Sequence, residues 1–167
     1  QENSELKIIK NDAFSYCAIE SISIPLNVEI LENACFSNCL SLKSIFFDPN
    51  SKLISIGQSV FINTRITKLR IPSNVQTIRN SAFCLMNHLK SIDFESDSKL
   101  VLFESSVFSI SSLENLEIPK NIKNVNENVF FNANNIKNIK ISSENKHLIY
   151  YENKILLFHL IHFRIVD

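Results

Sequence analysis

Apolar and polar positions recur along this chain with a long, uneven beat. Three stretches place their apolar residues at identical offsets: "ISIPLNVEILENACF" (22–36), "LRIPSNVQTIRNSAF" (69–83) and "LEIPKNIKNVNENVF" (116–130). In each, two apolar residues flank one polar residue, a Pro follows, and an apolar-x-x-apolar pair comes next. A Phe stands eight residues after the first member of that pair, as Phe83 does after Val75. Between these copies lie longer sister units. The Phe residues at 14, 36, 61, 83, 108 and 130 are separated alternately by 22 and 25 residues, so the true period is 47. Ile24-Pro25, Ile71-Pro72 and Ile118-Pro119 keep that period, as do Phe47, Phe94 and Ile141.

Alternation with a period of two predicts a short strand with one face buried. It occurs six times, at Ile22/Ile24, Ile45/Phe47, Leu69/Ile71, Ile92/Phe94, Leu116/Ile118 and Ile139/Ile141. Pro25, Pro72 and Pro119 suit strand ends, because proline cannot donate the next ladder hydrogen bond. The longer units run instead into "DPNSK", "ESDSK" and "SSENK", polar turns that widen one edge of the coil. The segment after each Phe is compatible with a short helical turn. A unit of this size cannot bury its apolar face alone, whereas stacked copies can. The expectation is a repeat solenoid of about six to seven repeats. It has one parallel strand per repeat and the six Phe side chains in one internal column.

Composition narrows the chemistry. Of 167 residues, 45% are hydrophobic and 20% charged, a globular mix. Seventeen basic residues balance seventeen acidic ones, which leaves no electrostatic footprint for nucleic acid. Gly57 is the single glycine, which excludes glycine-rich phosphate loops and a nucleophile elbow. Cys17, Cys35, Cys39 and Cys84 lack the spacing of a zinc site. Cys17 and Cys39 occupy equivalent positions in adjacent units, so buried thiols are the favoured state and a disulfide is the alternative. His88, His147, His159 and His162 are scattered. No cofactor, no metal and no enzymatic activity are expected. The apolar run 155–166, "ILLFHLIHFRIV", is too short to span a membrane and reads as a terminal strand or cap.

The pattern apolar-x-x-Ile-x-Ile-Pro-x-x-Val-x-x-Ile-x-x-x-Ala-Phe-x-x-Cys resembles the BspA-type leucine-rich repeat, and "SISIPLNVEILENACFSNC" (21–39) carries nearly all of it. "SIGQSVF" holds the family's glycine, which the other units lack, and Cys at the third position after Phe occurs only as Cys17 and Cys39. The resemblance covers about residues 6–141. It implies a right-handed, curved leucine-rich-repeat solenoid, with residues 142–167 similar to the closing segment of such arrays. Residues 1–167 then form one domain, expected to be a fragment because the chain opens at Gln1. The resemblance further implies a surface protein of a host-associated bacterium or anaerobic protozoan, on the cell surface or secreted. It implies adhesion to a protein or glycan rather than catalysis. The alternative is a cytoplasmic scaffold or structural repeat without a dedicated ligand.

If a site exists, it belongs to the residues that do not repeat. Each strand has one outward residue between its two buried ones: Ser23, Phe46, Arg70, Asp93, Glu117 and Lys140. A second row precedes it: Ser21, Ser44, Lys68, Ser91, Asn115 and Asn138. Solenoids commonly bind through the concave sheet. The candidate strip is therefore Phe46, Lys68, Arg70, Asp93, Glu117 and Lys140. Arg70 is expected beside Asp93, and Glu117 beside Lys140, as opposite charges on neighbouring strands. The same residues also serve solubility and cross-strand pairing.

Overall fold

The computed structural model describes residues 4–126 and 128–148. The run 155–166, His159 and His162 therefore lie outside the described residues, as does most of the expected closing segment. Among the described residues, twelve strands alternate in length. The short ones, two residues each, are β1 (Ile8–Ile9), β3 (Ile30–Leu31), β5 (Ser55–Ile56), β7 (Thr77–Ile78), β9 (Leu102–Phe103) and β11 (Asn124–Val125). The long ones, four residues each, are β2 (Ser21–Ile24), β4 (Ser44–Phe47), β6 (Lys68–Ile71), β8 (Ser91–Phe94), β10 (Asn115–Ile118) and β12 (Asn138–Ile141). All pairing is parallel and joins equivalent positions of successive coils.

The long strands are the six that alternation predicts, and Pro25, Pro72 and Pro119 directly follow three of them. The short strands form a second, six-stranded sheet that alternation does not reveal. Each contains the second member of an apolar-x-x-apolar pair, such as Leu31, Ile56 and Ile78, all fully buried. The long strands also fall short of one continuous sheet. β2 pairs only with β4, while β6, β8, β10 and β12 form a separate sheet. Within that sheet β8 and β10 meet only at Ser91 and Asn115. Strands 23 residues apart (Ser21 and Ser44, Lys68 and Ser91, Asn115 and Asn138) pair over all four residues. Strands 24 apart (Ser44 to Lys68, Ser91 to Asn115) pair at one residue or none. The face is thus fluted, opening wherever a long unit meets the next short one.

The three extra residues of the long unit have definite places. Both units make the same turn after the strand, with Val75 N–H donating to the Pro72 carbonyl (3.2 Å) and Ser51 N–H to the Asp48 carbonyl (2.9 Å). From that turn residue to the buried residue of the next short strand is six positions in the short unit (Pro72 to Ile78) and eight in the long one (Asp48 to Ile56). The remaining extra residue lies between the Phe and the strand. Asparagines bind the unequal turns together. Asn74 donates to the Ser51 carbonyl at 2.8 Å, and Asn121 to the Ser98 carbonyl at 2.7 Å.

The third side of each coil is the Phe corner. Phe14, Phe36, Phe61, Phe83, Phe108 and Phe130 form one column, with successive ring centroids 5.3–5.9 Å apart and planes within 20° of parallel. Every ring after Phe14 is buried. Each such burial stabilises by roughly 1.5–3 kcal/mol, and each offset ring pair adds about 0.5–1.5 kcal/mol. The segments after the Phe residues are turns; among the described residues there is no helix. Instead the backbone turns left-handed two residues before and two after the Phe, at Asp12 and Tyr16, Ala34 and Asn38, Ser59 and Asn63, and Ser81 and Leu85. Ser106, Ile110 and Asn132 continue the series. This conformation crowds a Cβ against its own carbonyl, yet it aims three N–H groups per coil along the axis. In the coil of Phe61, the N–H groups of Ser59, Phe61 and Asn63 donate to the carbonyls of Asn80, Ala82 and Cys84 in the next coil, at 3.0, 2.9 and 3.3 Å. Gly57 has another reason to be glycine. A Cβ there would come within 2.8 Å of the backbone of Leu31 and Glu32 in the preceding coil.

Two outcomes follow from this packing. Phe83→Ala removes a central ring and should cost about 3–5 kcal/mol, read by chemical denaturation; a loss below about 1 kcal/mol would contradict the buried column. Ile110→Asn should stabilise by about 1 kcal/mol, because a β-branched residue suits a left-handed backbone poorly and asparagine tolerates it. A raised melting temperature at unchanged circular dichroism is the expected sign.

Candidate functional site

The candidate strip sits on the long strands, and the register fixes its order. Ser23 stands opposite Phe46, Arg70 opposite Asp93, and Glu117 opposite Lys140. All six candidate residues are exposed, Phe46 at 58%. The flanking side chains turn inward. Ile45 is 7% exposed and Leu69, Ile92 and Leu116 are at most 4%, so the pleat leaves the middle residue of each strand no direction but outward.

The sheet divides this strip. Phe46 lies on β4, in the two-stranded piece, whereas Lys68, Arg70, Asp93, Glu117 and Lys140 lie on the four-stranded piece. Beyond the one ladder pairing of Ser91 with Asn115, β8 and β10 no longer pair. A groove of about 550 Å³ lies over them and over β12, lined by Asp93, Glu95, Glu117, Lys120, Lys140 and Glu144 among others. Three candidate residues therefore come together around one opening.

Charge pairing departs from expectation at one point. The Arg70 guanidinium reaches Glu95 (Nε to Oε1, 3.3 Å) and makes no ion pair with Asp93. Glu95 is the better partner because its carboxylate is already fixed, its Oε2 accepting the Ser73 N–H at 2.9 Å. Among the described residues Lys68, Asp93, Glu117 and Lys140 have neither an ion pair nor a side-chain hydrogen bond. Beside the strip the charges are matched from coil to coil. Lys43 meets Glu20 at 3.1 Å. Glu114 lies between Lys137 (2.9 Å) and Lys90 (3.1 Å), and Lys120 between Glu144 (3.2 Å) and Asp97 (3.8 Å). Sequence spacing alone does not reveal Glu95, Lys120 and Glu144, since they follow the strands in turns of unequal length.

Other chemistry is sparse. All four cysteines are free thiols, and the Cys39 thiol donates to the Phe14 carbonyl at 2.9 Å. Burial pushes the Cys35 thiol up to about 12 and raises those of Cys39 and Cys84, so none of these three is a ready thiolate nucleophile. No group of three or more His, Cys, Asp or Glu among the described residues could hold a metal ion. No helix among the described residues is long and apolar enough to cross a membrane.

Six stacked coils with this spacing correspond to a defined repeat class: residues 7–137 match the family description "BspA type Leucine rich repeat region (6 copies)". The chain belongs to the BspA-type leucine-rich repeat family. Solved structures carry the same fold. The pneumococcal vaccine antigen PcpA is similar with a TM-score of 0.80 and 26% identity over 89% of this chain and 40% of its own. A leucine-rich repeat protein from Bacteroides ovatus gives 0.68 and 20%, over 83% of this chain and 41% of that one. A leucine rich cell surface protein from Faecalibacterium prausnitzii gives 0.62 and 18%, over 89% and 45%. This BspA-type chain thus spans less than half the length of these proteins. No curated protein matches its sequence.

The Glu114 cluster gives a pH test. Hydrogen bonds and charge from Lys137 and Lys90 hold its carboxyl below the free value of 4.5. A carboxyl depressed in the folded state stabilises above its unfolded pKa, and that contribution fades as pH falls through the folded one. Glu114→Gln should therefore lower the melting temperature slightly at pH 7, and that difference should shrink as pH falls below the unfolded value of 4.5.

Proposed function

We propose that this chain is a non-catalytic interaction module of a cell-surface leucine-rich-repeat protein, and that it adheres to host or microbial macromolecules through the exposed face of its long-strand sheet. Phe46 carries this reading. A phenyl ring 58% exposed in mid-strand contributes nothing to the core, and aromatic anchors surrounded by polar residues are what protein contacts are built around. Ser23 stands opposite it on β2, Ser44 precedes it on its own strand, and Lys68 and Arg70 lie on the next long strand, β6. Support for a surface location comes from the fold, shared with a protein described as a leucine rich cell surface protein. A groove open to solvent and rimmed by charges supports this reading.

Immobilised protein should capture a ligand from a panel of extracellular-matrix proteins and glycans. The variant Phe46→Ala/Arg70→Ala/Glu117→Ala, at unchanged melting temperature, should bind that ligand at least tenfold more weakly. Equal capture by parent and variant would move the contact off this face. Capture of nothing above background would remove the adhesion reading.

A further inference from the structure

The face carries its charges in a fixed order. Along the stack the outward residues run Phe46, Arg70, Asp93, Glu117, Lys140, with Lys68 beside Arg70 on the same strand. Apolar is followed by positive, then two negatives, then positive. Asp93 and Glu117 are the unusual pair. They flank the line where β8 and β10 separate, and like charges on neighbouring strands repel. Neither carboxylate makes an ion pair among the described residues, although Arg70 stands opposite Asp93 and Lys140 opposite Glu117, and the charges beside the strip are matched from coil to coil. Arg70 is tied to Glu95, but its side chain is 75% exposed, and so open a pair is weak and easily shared with an incoming acid.

The spacing of this order matches an extended polypeptide. Hydrogen-bonded strands lie about 4.8 Å apart, so Phe46 to Lys140, four strands on, spans at least about 19 Å, with the β4–β6 and β8–β10 steps the wider ones. Six residue steps of extended chain cover about 20 Å, and alternate residues on one side of it are about 6.7 Å apart. A residue over Arg70 is thus followed, two positions on, by one over the midpoint of Asp93 and Glu117, about 7 Å away. Two further positions reach Lys140. Two positions in the other direction reach Phe46.

We infer that the face docks an extended segment of a partner protein laid along the solenoid axis. At alternate positions that segment carries an apolar residue, an acid, a base and an acid. The inference rests on the reading of this face as the contact surface. The base inserts between the two carboxylates, where it relieves their repulsion, and the acids meet Arg70 with Lys68 and Lys140. Side chains at the intervening positions point to solvent and are unspecified.

The test uses fluorescein-labelled peptides and the whole chain at low salt. The probes are Leu-Ser-Glu-Ser-Lys-Ser-Glu, its reversed order, a scramble, and the charge-swapped Leu-Ser-Lys-Ser-Glu-Ser-Lys. One of the two ordered peptides should bind at least tenfold more tightly than the scramble and the swapped peptide, and the difference should shrink as salt rises. Asp93→Lys/Glu117→Lys, checked for an unchanged melting temperature, should abolish that preference. If ordered, scrambled and swapped peptides bind alike, or none binds, the inference fails. Loss of macromolecular capture by the triple alanine variant would still uphold the contact surface in that case, with a glycan ligand as the reason the peptides fail.

Discussion

The hydrogen bonds from each Phe corner to the next are the constraint on which the solenoid depends. Each corner sends N–H groups in one direction, as Asn38 N–H does to the Ile62 carbonyl and Ile110 N–H to that of Phe131, both at 2.9 Å. A backbone polar group buried without a partner is costly, so the corner is stable only with another corner stacked in register. That register brings Phe onto Phe. The column and the ladder are therefore one device, in which left-handed strain at Asp12, Tyr16, Asn38 and their equivalents is offset by hydrogen bonds and ring burial.

Everything on the functional face inherits its position from that device. Because the corners stack at every coil, the three extra residues of the long unit must be absorbed elsewhere. Two go into the post-strand turn and one before the strand. The long strands then pair fully within a 23-residue step and part across a 24-residue step. The fluting that sets Phe46 apart from Arg70, and opens the groove between Asp93 and Glu117, is thus a consequence of alternating repeat length. A strictly uniform repeat would make every strand-to-strand step the same, so the pairing would not alternate between full and broken.

Much of this was legible in the letters, and the exceptions have physical causes. The Phe column and the long strands follow from period and alternation, and the outward positions of Phe46, Arg70, Asp93, Glu117 and Lys140 follow from the pleat. The second sheet was hidden because a two-residue strand is too short to alternate. The left-handed corners were hidden because they are not written in glycine. Asp12, Asn38 and Asn63 suit the conformation, but Tyr16, Leu85 and Ile110 give no hint of it. The short helical turns expected there were wrong for the same reason, since inter-coil donors replaced intrahelical ones. The partner of Arg70 was misplaced because strand register says who is opposite, whereas Glu95 reaches back from a turn.

Net charge is a poor guide to what such a surface meets. Seventeen positive and seventeen negative residues sum to zero, yet at physiological ionic strength charges are screened beyond about 8 Å. Arg70 and Lys140 stand three strands apart, farther than that length, so the two cations act as separate sites with the carboxylates of Asp93 and Glu117 between them. A partner that matches only the overall charge gains nothing, and one that matches the order gains at each position. Repulsion between Asp93 and Glu117 adds to the discrimination, because it is relieved only by a base placed between them and worsened by an acid there. The unequal repeat makes that placement possible by opening the sheet at the strands that carry the two carboxylates.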